Sequence, residues 1–272
     1  MALTVFMYHE VVRAEQLAAI EGKINTNYVV TYDVFEAHLR AIRDAGATVV
    51  TPDEISERLA AGKQLPDKAV LITFDDGFLG NYELALPLLQ TFGFPATFYV
   101  VTNKIGDERM LSWDQLREMH AAGMTVGSHT VSHPLLSTLG KEETRQELER
   151  SRDVIAEQLR TETRHLSLPN GDTNEWYRDL AAELAYATVC GSEFGRNASS
   201  IDPLFIERIA IKKTTSAAQI TKYVEGDWAT FAMSAVKSLL KKLLVGLLSK
   251  RRYDALYNRL FGVEDQRKGS AY

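Results

Sequence analysis

Short apolar runs rich in β-branched and aromatic residues alternate with longer stretches of helical periodicity along most of the chain. The runs are Leu3–Tyr8, Ala47–Thr51, Ala69–Phe74, Ala96–Val101, Thr125–Ser128, His165–Leu168, Ala187–Cys190 and Arg208–Ile211. They are mainly apolar instead of alternating, as parallel strands buried on both faces should be. Between them, Val34–Ala45 places Phe35, Leu39 and Ile42 at helical spacing and stops at Gly46. Asp53–Ala61 follows Thr51-Pro52, Trp113–Ala122 runs to Gly123, and Lys141–Arg160 is a long charged amphipathic helix. His38 and His120 fall in these helices and are expected at the surface.

Strand–helix alternation repeated about eight times predicts an α/β fold of parallel strands joined by right-handed crossovers. Closed into a ring it is a (β/α) barrel of about seven to eight parallel strands, with its site at the strands' C-terminal ends. An open doubly wound sheet is the alternative. Residues 226–272 read differently, which divides the chain into a barrel, 1–225, and a basic amphipathic helical tail. No acidic residue occurs from Trp228 to Tyr253, whereas Lys237, Lys241, Lys242, Lys250, Arg251 and Arg252 are basic. Val236, Leu239, Leu240, Leu243 and Leu247 recur at helical spacing, so a helix from Trp228 to Arg252 is expected. Its two readings are packing on the barrel or a second subunit, and peripheral contact of 228–252 with an anionic membrane.

Composition narrows the partners. At 272 residues, 45% hydrophobic and 25% charged, the chain is ordinary for a globular protein. A net charge of −5 argues against a nucleic-acid partner. The single cysteine, Cys190, excludes an intramolecular disulfide, suits a reducing compartment, and sits in an apolar run as core and not as a nucleophile. The first residues lack the basic and apolar regions of a signal peptide, and no window approaches ~20 apolar residues, so no spanning helix is expected. A cytoplasmic location is the expectation.

Two local patterns carry chemistry. Thr73-Phe74-Asp75-Asp76-Gly77 puts adjacent carboxylates at the end of a hydrophobic strand, where they are costly unless a cation or donors receive them. Asp-Asp-Gly is also good turn chemistry. Ser128-His129-Thr130-Val131-Ser132-His133-Pro134 follows another strand, and two imidazoles four apart share one side of a helical turn. Together one of the two aspartates, His129 and His133 make an open three-ligand set of the catalytic kind, with the other aspartate left for proton transfer.

In this pairing the sequence resembles the polysaccharide deacetylase (NodB-homology) family over roughly residues 3–225. The resemblance implies a distorted (β/α) barrel that removes acyl groups from sugar amides or esters. It implies Asp75 as the base that activates the attacking water, and Asp76, His129 and His133 as ligands of a divalent metal: zinc first, with cobalt or nickel as alternatives. Two features depart from the family. Its Arg-x-Pro motif, whose arginine holds the catalytic aspartate, is replaced by Leu166-Ser167-Leu168-Pro169-Asn170-Gly171, and its late histidine acid has no counterpart after His165.

Tyr8-His9 resembles the opening of the biofilm poly-N-acetylglucosamine deacetylase branch, which takes its acid from that histidine. By that likeness His9 is the acid and Arg208, in Glu207-Arg208-Ile209, holds Asp75. A satisfied core histidine and a surface arginine are the competing readings, and His165 is a second candidate for the acid. Asn170 and Tyr8 are expected to contact substrate; Asp172 lies near the mouth, and Trp113, Trp176 and Trp228 could line a sugar site. The expected reaction is metal-dependent removal of an N-acetyl group from an amino sugar of a glycan or lipid-linked precursor. A deformylase, an O-acetyl esterase and a sugar-binding pseudoenzyme are the alternatives.

Overall fold

The computed structural model describes residues 2–198, 201–233 and 236. Its strands are β1 (Leu3–Tyr8), β2 (Glu10–Val12), β3 (Val29–Thr31), β4 (Thr48–Val49), β5 (Ala69–Phe74), β6 (Thr97–Val100), β7 (Thr125–Ser128), β8 (His165–Ser167), β9 (Thr188–Cys190) and β10 (Ile209–Ala210). The α-helices are α1 (Leu17–Ile20), α2 (Tyr32–Asp44), α3 (Pro52–Ala60), α4 (Leu86–Phe92), α5 (Trp113–Ala121), α6 (Lys141–Leu159), α7 (Tyr177–Glu183) and α8 (Ala217–Glu225).

The main sheet runs β10-β1-β5-β6-β7-β8-β9, every neighbouring pair parallel, with β4 alongside the start of β5. Its two edges meet through the segment leading into β10. Ile206 bridges Cys190 of the last strand, and three residues later Ile209 pairs with Phe6 of β1. This bridge distorts the barrel, and the curled sheet removes the open doubly wound alternative. β2 and β3 form a separate parallel pair that the sequence pattern did not reveal.

Strand parity sorts the core. Successive side chains of a strand point to opposite faces. Phe6, Tyr8, Ile72, Phe74 and Phe98 pack outward with Phe35, Leu39 and Ile42 of α2 in the largest cluster. Leu3, Val5, Leu71, Tyr99, Cys190 and Ile206 form a second cluster within the ring. Gly127 is required there, because a Cβ on it would lie 2.7 Å from the Tyr99 ring. The inward set of β1 and β5 therefore continues through Met7 and Thr73 to His9 and Asp75.

Two expectations fail, one of them on this parity. Tyr8 does not face substrate: it is wholly buried, stacks on Phe74 at 5.3 Å and shares its hydroxyl with His38 Nδ1 at 3.2 Å. His38 is not a surface residue either. It is wholly buried, and its Nε2 donates to the Thr215 carbonyl at 2.9 Å, tying α2 to the approach to α8.

Most of the expected tail helix lies outside the described residues. Residues 228–233 are helical, are capped by Asp227, whose Oδ2 accepts the Thr230 N–H at 3.2 Å, and pack Phe231 on Tyr223 and Phe194.

Candidate active site

Asp75 is the first residue past β5 on the inward side, and its N–H donates to the Tyr8 carbonyl at 3.0 Å. Arg208 reaches it from just before β10. Nη1 donates to Oδ1 at 2.8 Å and Nη2 to Oδ2 at 2.7 Å, a bidentate fork. The rest of the guanidinium is satisfied by the Gly191 carbonyl, Thr73 Oγ1 and Ser167 Oγ. Ser167 accepts from Arg208 and passes its own hydrogen to Asp75 Oδ2 at 3.1 Å. Burial pushes the Asp75 carboxyl up, but Arg208 and then His129 outweigh it and hold the group well below the usual carboxylate range. Asp75 is thus a fixed, ionised acceptor.

Ser167 stands two residues before Pro169, where the resembled motif has its arginine. The cation comes from another strand, and the small serine leaves room for it. Sequence reasoning missed Ser167 and Thr73, because a hydroxyl residue near a strand end carries no signal until its partner is known.

Asp76 turns away from Asp75 at a left-handed φ of 76°. Its Oδ1 lies 3.7 Å from His129 Nε2 and 3.6 Å from His133 Nε2, and His129 Nε2 is 3.9 Å from Asp75 Oδ2. Ligand atoms about 3.4 Å apart are what a tetrahedral ion with bonds near 2.1 Å needs. The two Asp76–histidine separations fit that requirement to within a few tenths of an ångström, the three ligand atoms lie within 4.8 Å of one another, and the group is the only such cluster among the described residues. The tautomers fit as well. His129 Nδ1 lies 2.8 Å from the Ser167 carbonyl, which can only accept, so Nδ1 carries the hydrogen and Nε2 is free to ligate. His133 is lowered to about 4 by burial and by neighbouring His129, so its ring is neutral near pH 7.

The helical rationale for the two histidines is wrong in detail. Residues 129–133 form a non-helical turn in which Thr130 and His133 adopt positive φ values of 66° and 59°.

His9 lies beyond the end of β1 in a small pocket that it lines with Glu10, Asn25, Tyr28, Asp76 and Phe78. Its ring packs on Tyr28 at 5.0 Å, and its carbonyl accepts from Asn81 Nδ2 at 2.7 Å. Burial lowers its pKa, while Asp76 and Asp75 pull the other way. Asn170 is exposed in the turn after β8, on the same side of the barrel. His165 is not near this chemistry. It enters β8 from the opposite end, with Nδ1 2.9 Å from Thr188 Oγ1 and Nε2 3.1 Å from Asp53, which removes it as a candidate acid. Cys190 is core, its thiol pushed up by burial. Glu10 also escaped sequence reasoning. It is buried between the Val11 N–H and the Arg109 guanidinium, in contact with Gly80.

Residues 62–189 match the family model described as polysaccharide deacetylase. YxkH of Bacillus subtilis, a protein named for the same family, is 29% identical over 223 residues, or 82% of this chain and 76% of its own. The Streptococcus pyogenes deacetylase PplD, solved in complex with acetate, superposes with a TM-score of 0.73 at 27% identity, covering 82% of this chain and 98% of that one. Residues 62–189 are a polysaccharide deacetylase domain. A local match is shared with the poly-β-1,6-N-acetyl-D-glucosamine N-deacetylase of Escherichia coli, 34% identical over 105 residues, which is 33% of this chain and 16% of that protein. The polysaccharide deacetylase span holds Asp75, Asp76, His129, His133 and Ser167, whereas His9 and Arg208 lie outside it on either side.

Proposed function

We propose that the protein is a metal-dependent carbohydrate N-deacetylase that releases acetate from an N-acetylated amino sugar. The observation that carries this reading is the pairing of Asp75, fixed by Arg208, with a three-ligand cluster whose His129 nitrogen lies 3.9 Å away. Asp76, His129 and His133 would hold a divalent ion, zinc first and cobalt or nickel as alternatives, which when bound supplies Lewis-acid polarisation of the acyl carbonyl. Asp75 accepts a proton from the attacking water as its oxygen bonds the acyl carbon. His9 delivers a proton to the amine nitrogen as the C–N bond breaks, since an unprotonated amine leaves poorly. Arg208 and Ser167 keep Asp75 ionised and aimed.

The N-acetylglucosamine class of substrate is supported by the name of the Escherichia coli relative. Acetate release from N-acetylglucosamine oligosaccharides, before and after chelation, tests the reaction: activity should vanish on chelation and return with zinc or cobalt. Activity that survives exhaustive chelation would exclude the metal.

A lipid-linked sugar at the cytoplasmic face of a membrane is the substrate form we favour. The six basic residues between 237 and 252 and the exposed Trp228, Met233 and Val236 support it. Each basic residue near an anionic surface is worth about 1 kcal/mol. Co-sedimentation with vesicles should depend on anionic lipid and be lost on truncation after Gly226; binding that survives either change rejects the membrane contact.

A further inference from the structure

The turn that carries both candidate histidine ligands is built on an unfavourable backbone. Thr130 and His133 sit at φ 66° and 59°, a region that residues with a Cβ occupy only when their surroundings hold them there. Part of the hold is local. Thr130 Oγ1 accepts the His133 N–H at 3.0 Å, and Ser128 Oγ accepts the Thr130 N–H at 3.1 Å. These bonds close the turn on itself, and the Thr130 and Val131 carbonyls accept the Thr102 and Asn103 N–H groups at 3.2 and 3.0 Å, which ties its carbonyl side to the segment after β6.

The anchor of its N–H side is Glu147 of α6. Its Oε2 accepts the Val131 N–H at 2.8 Å and the Ser132 N–H at 2.9 Å, and its Oε1 accepts the Ser132 hydroxyl at 2.7 Å. One turn further along α6, Ser151 Oγ lies 2.6 Å from Ser128 Oγ, where β7 gives way to the turn. The helix itself is immobilised. Leu148, Ser151 and Ile155 are buried, and the Tyr186 hydroxyl donates to the Leu148 carbonyl at 2.9 Å. His129 does not need this anchor, because its N–H donates to the Val100 carbonyl and its Nδ1 to Ser167. His133 does, since the crown of the turn, Val131-Ser132, leads directly into it.

We infer that Glu147 is a positioning residue for the metal cluster: its carboxylate grips the crown of the 129–133 turn and thereby holds His133 Nε2 within reach of Asp76 and His129. A charge-assisted grip on three donors from two consecutive residues specifies one turn geometry. Without it the crown keeps its carbonyl-side bonds to Thr102 and Asn103 but loses the acceptor of its N–H side, so Ser132 and His133 can shift away from the cluster. The inference rests on the metal reading proposed above, and its consequence is metal affinity; the core does not depend on it.

The test is zinc titration of the metal-free full chain against a competing chelator, with the cobalt absorption spectrum and thermal melts recorded in parallel. Glu147→Ala should weaken zinc binding about 10- to 100-fold, as loss of an outer-shell partner does. Its cobalt spectrum should shift, while the metal-free melting temperature stays near that of the wild type. Glu147→Gln keeps an oxygen for the two N–H groups and an NH₂ for the Ser132 hydroxyl, so its affinity should stay within roughly threefold. Glu147→Asp, one methylene shorter, should fall between them and serves as the test if the alanine variant does not fold. Wild-type affinity with an unshifted spectrum in Ala, or in Asp when Ala does not fold, overturns the inference. So does a loss in Gln as large as that in Ala. A wild type that binds no zinc removes the metal reading itself, and this inference with it.

Discussion

Arg208 and Asp75 meet as a two-point fork inside the barrel, 2.8 and 2.7 Å apart, with both residues buried. Desolvating two such charges costs several kcal/mol per ion, offset here because each remaining donor of the guanidinium also finds an acceptor. The pair is therefore a device for holding a carboxylate ionised in a site that would otherwise protonate it.

Removing one partner should be far worse than a surface ion-pair deletion. Arg208→Met leaves Asp75 as an uncompensated buried charge, so stability should fall by about 3–5 kcal/mol in urea melts near pH 7 and deacetylation should disappear. Arg208→Lys restores charge without the fork, and should recover much of the stability but little of the activity. Equal activity in the lysine variant would show that orientation of Asp75 is not what Arg208 provides.

The acid assignment separates substrates by leaving group. His9→Ala should slow amide hydrolysis by a factor on the order of 10² to 10⁴, with a much smaller effect on an activated ester that needs little protonation. Rates for the two substrates that drop in parallel would remove His9 from the acid role.

Glu10 offers a pH signature. Burial, opposed by Arg109 and the Val11 N–H, raises its pKa from an ordinary 4.5 to about 7. Between those values the unfolded chain loses the proton while the folded chain keeps it, so the folded state binds more protons and stability falls as pH rises. His9, His38 and His133, lowered by burial, act in the opposite sense, so the comparison must be with Glu10→Gln. The stability of the wild type relative to that variant should decline by roughly 3 kcal/mol from pH 4.5 to 7 and then level off. Urea midpoints on the metal-free proteins measure it, and a flat difference rejects a buried proton at Glu10.

What was legible in the sequence follows from locality. Asp75, Asp76 and His129 are one or two residues past a strand end and His133 follows His129 within the same turn, so short motifs expose them. Arg208 was reached only through resemblance, because its partner lies 133 positions away in the chain. Ser167 and Glu147 gave no signal: a serine in a strand and a glutamate on a charged helix look alike whether or not a turn depends on them. Tyr8 was misplaced for want of parity, since an inward-facing His9 forces its neighbour outward. His38 was misread against available evidence. Phe35, Leu39 and Ile42 lie three before, one after and four after it, which put it on the apolar face of α2. The pairing of β2 with β3 across the α1 segment depends on tertiary contacts that neither three-residue strand announces.

The most direct test of metal-assisted deacetylation with Asp75 as base is acetate release by wild type and Asp75→Asn, each assayed at measured zinc occupancy. Asparagine keeps the shape and can still meet Ser167, but it cannot take the proton. The account predicts full metal occupancy in both proteins, with acetate release from an N-acetylglucosamine oligosaccharide reduced by about 10² to 10⁴ in the variant. Asp75→Asn that binds zinc fully and still releases acetate at the wild-type rate would contradict it.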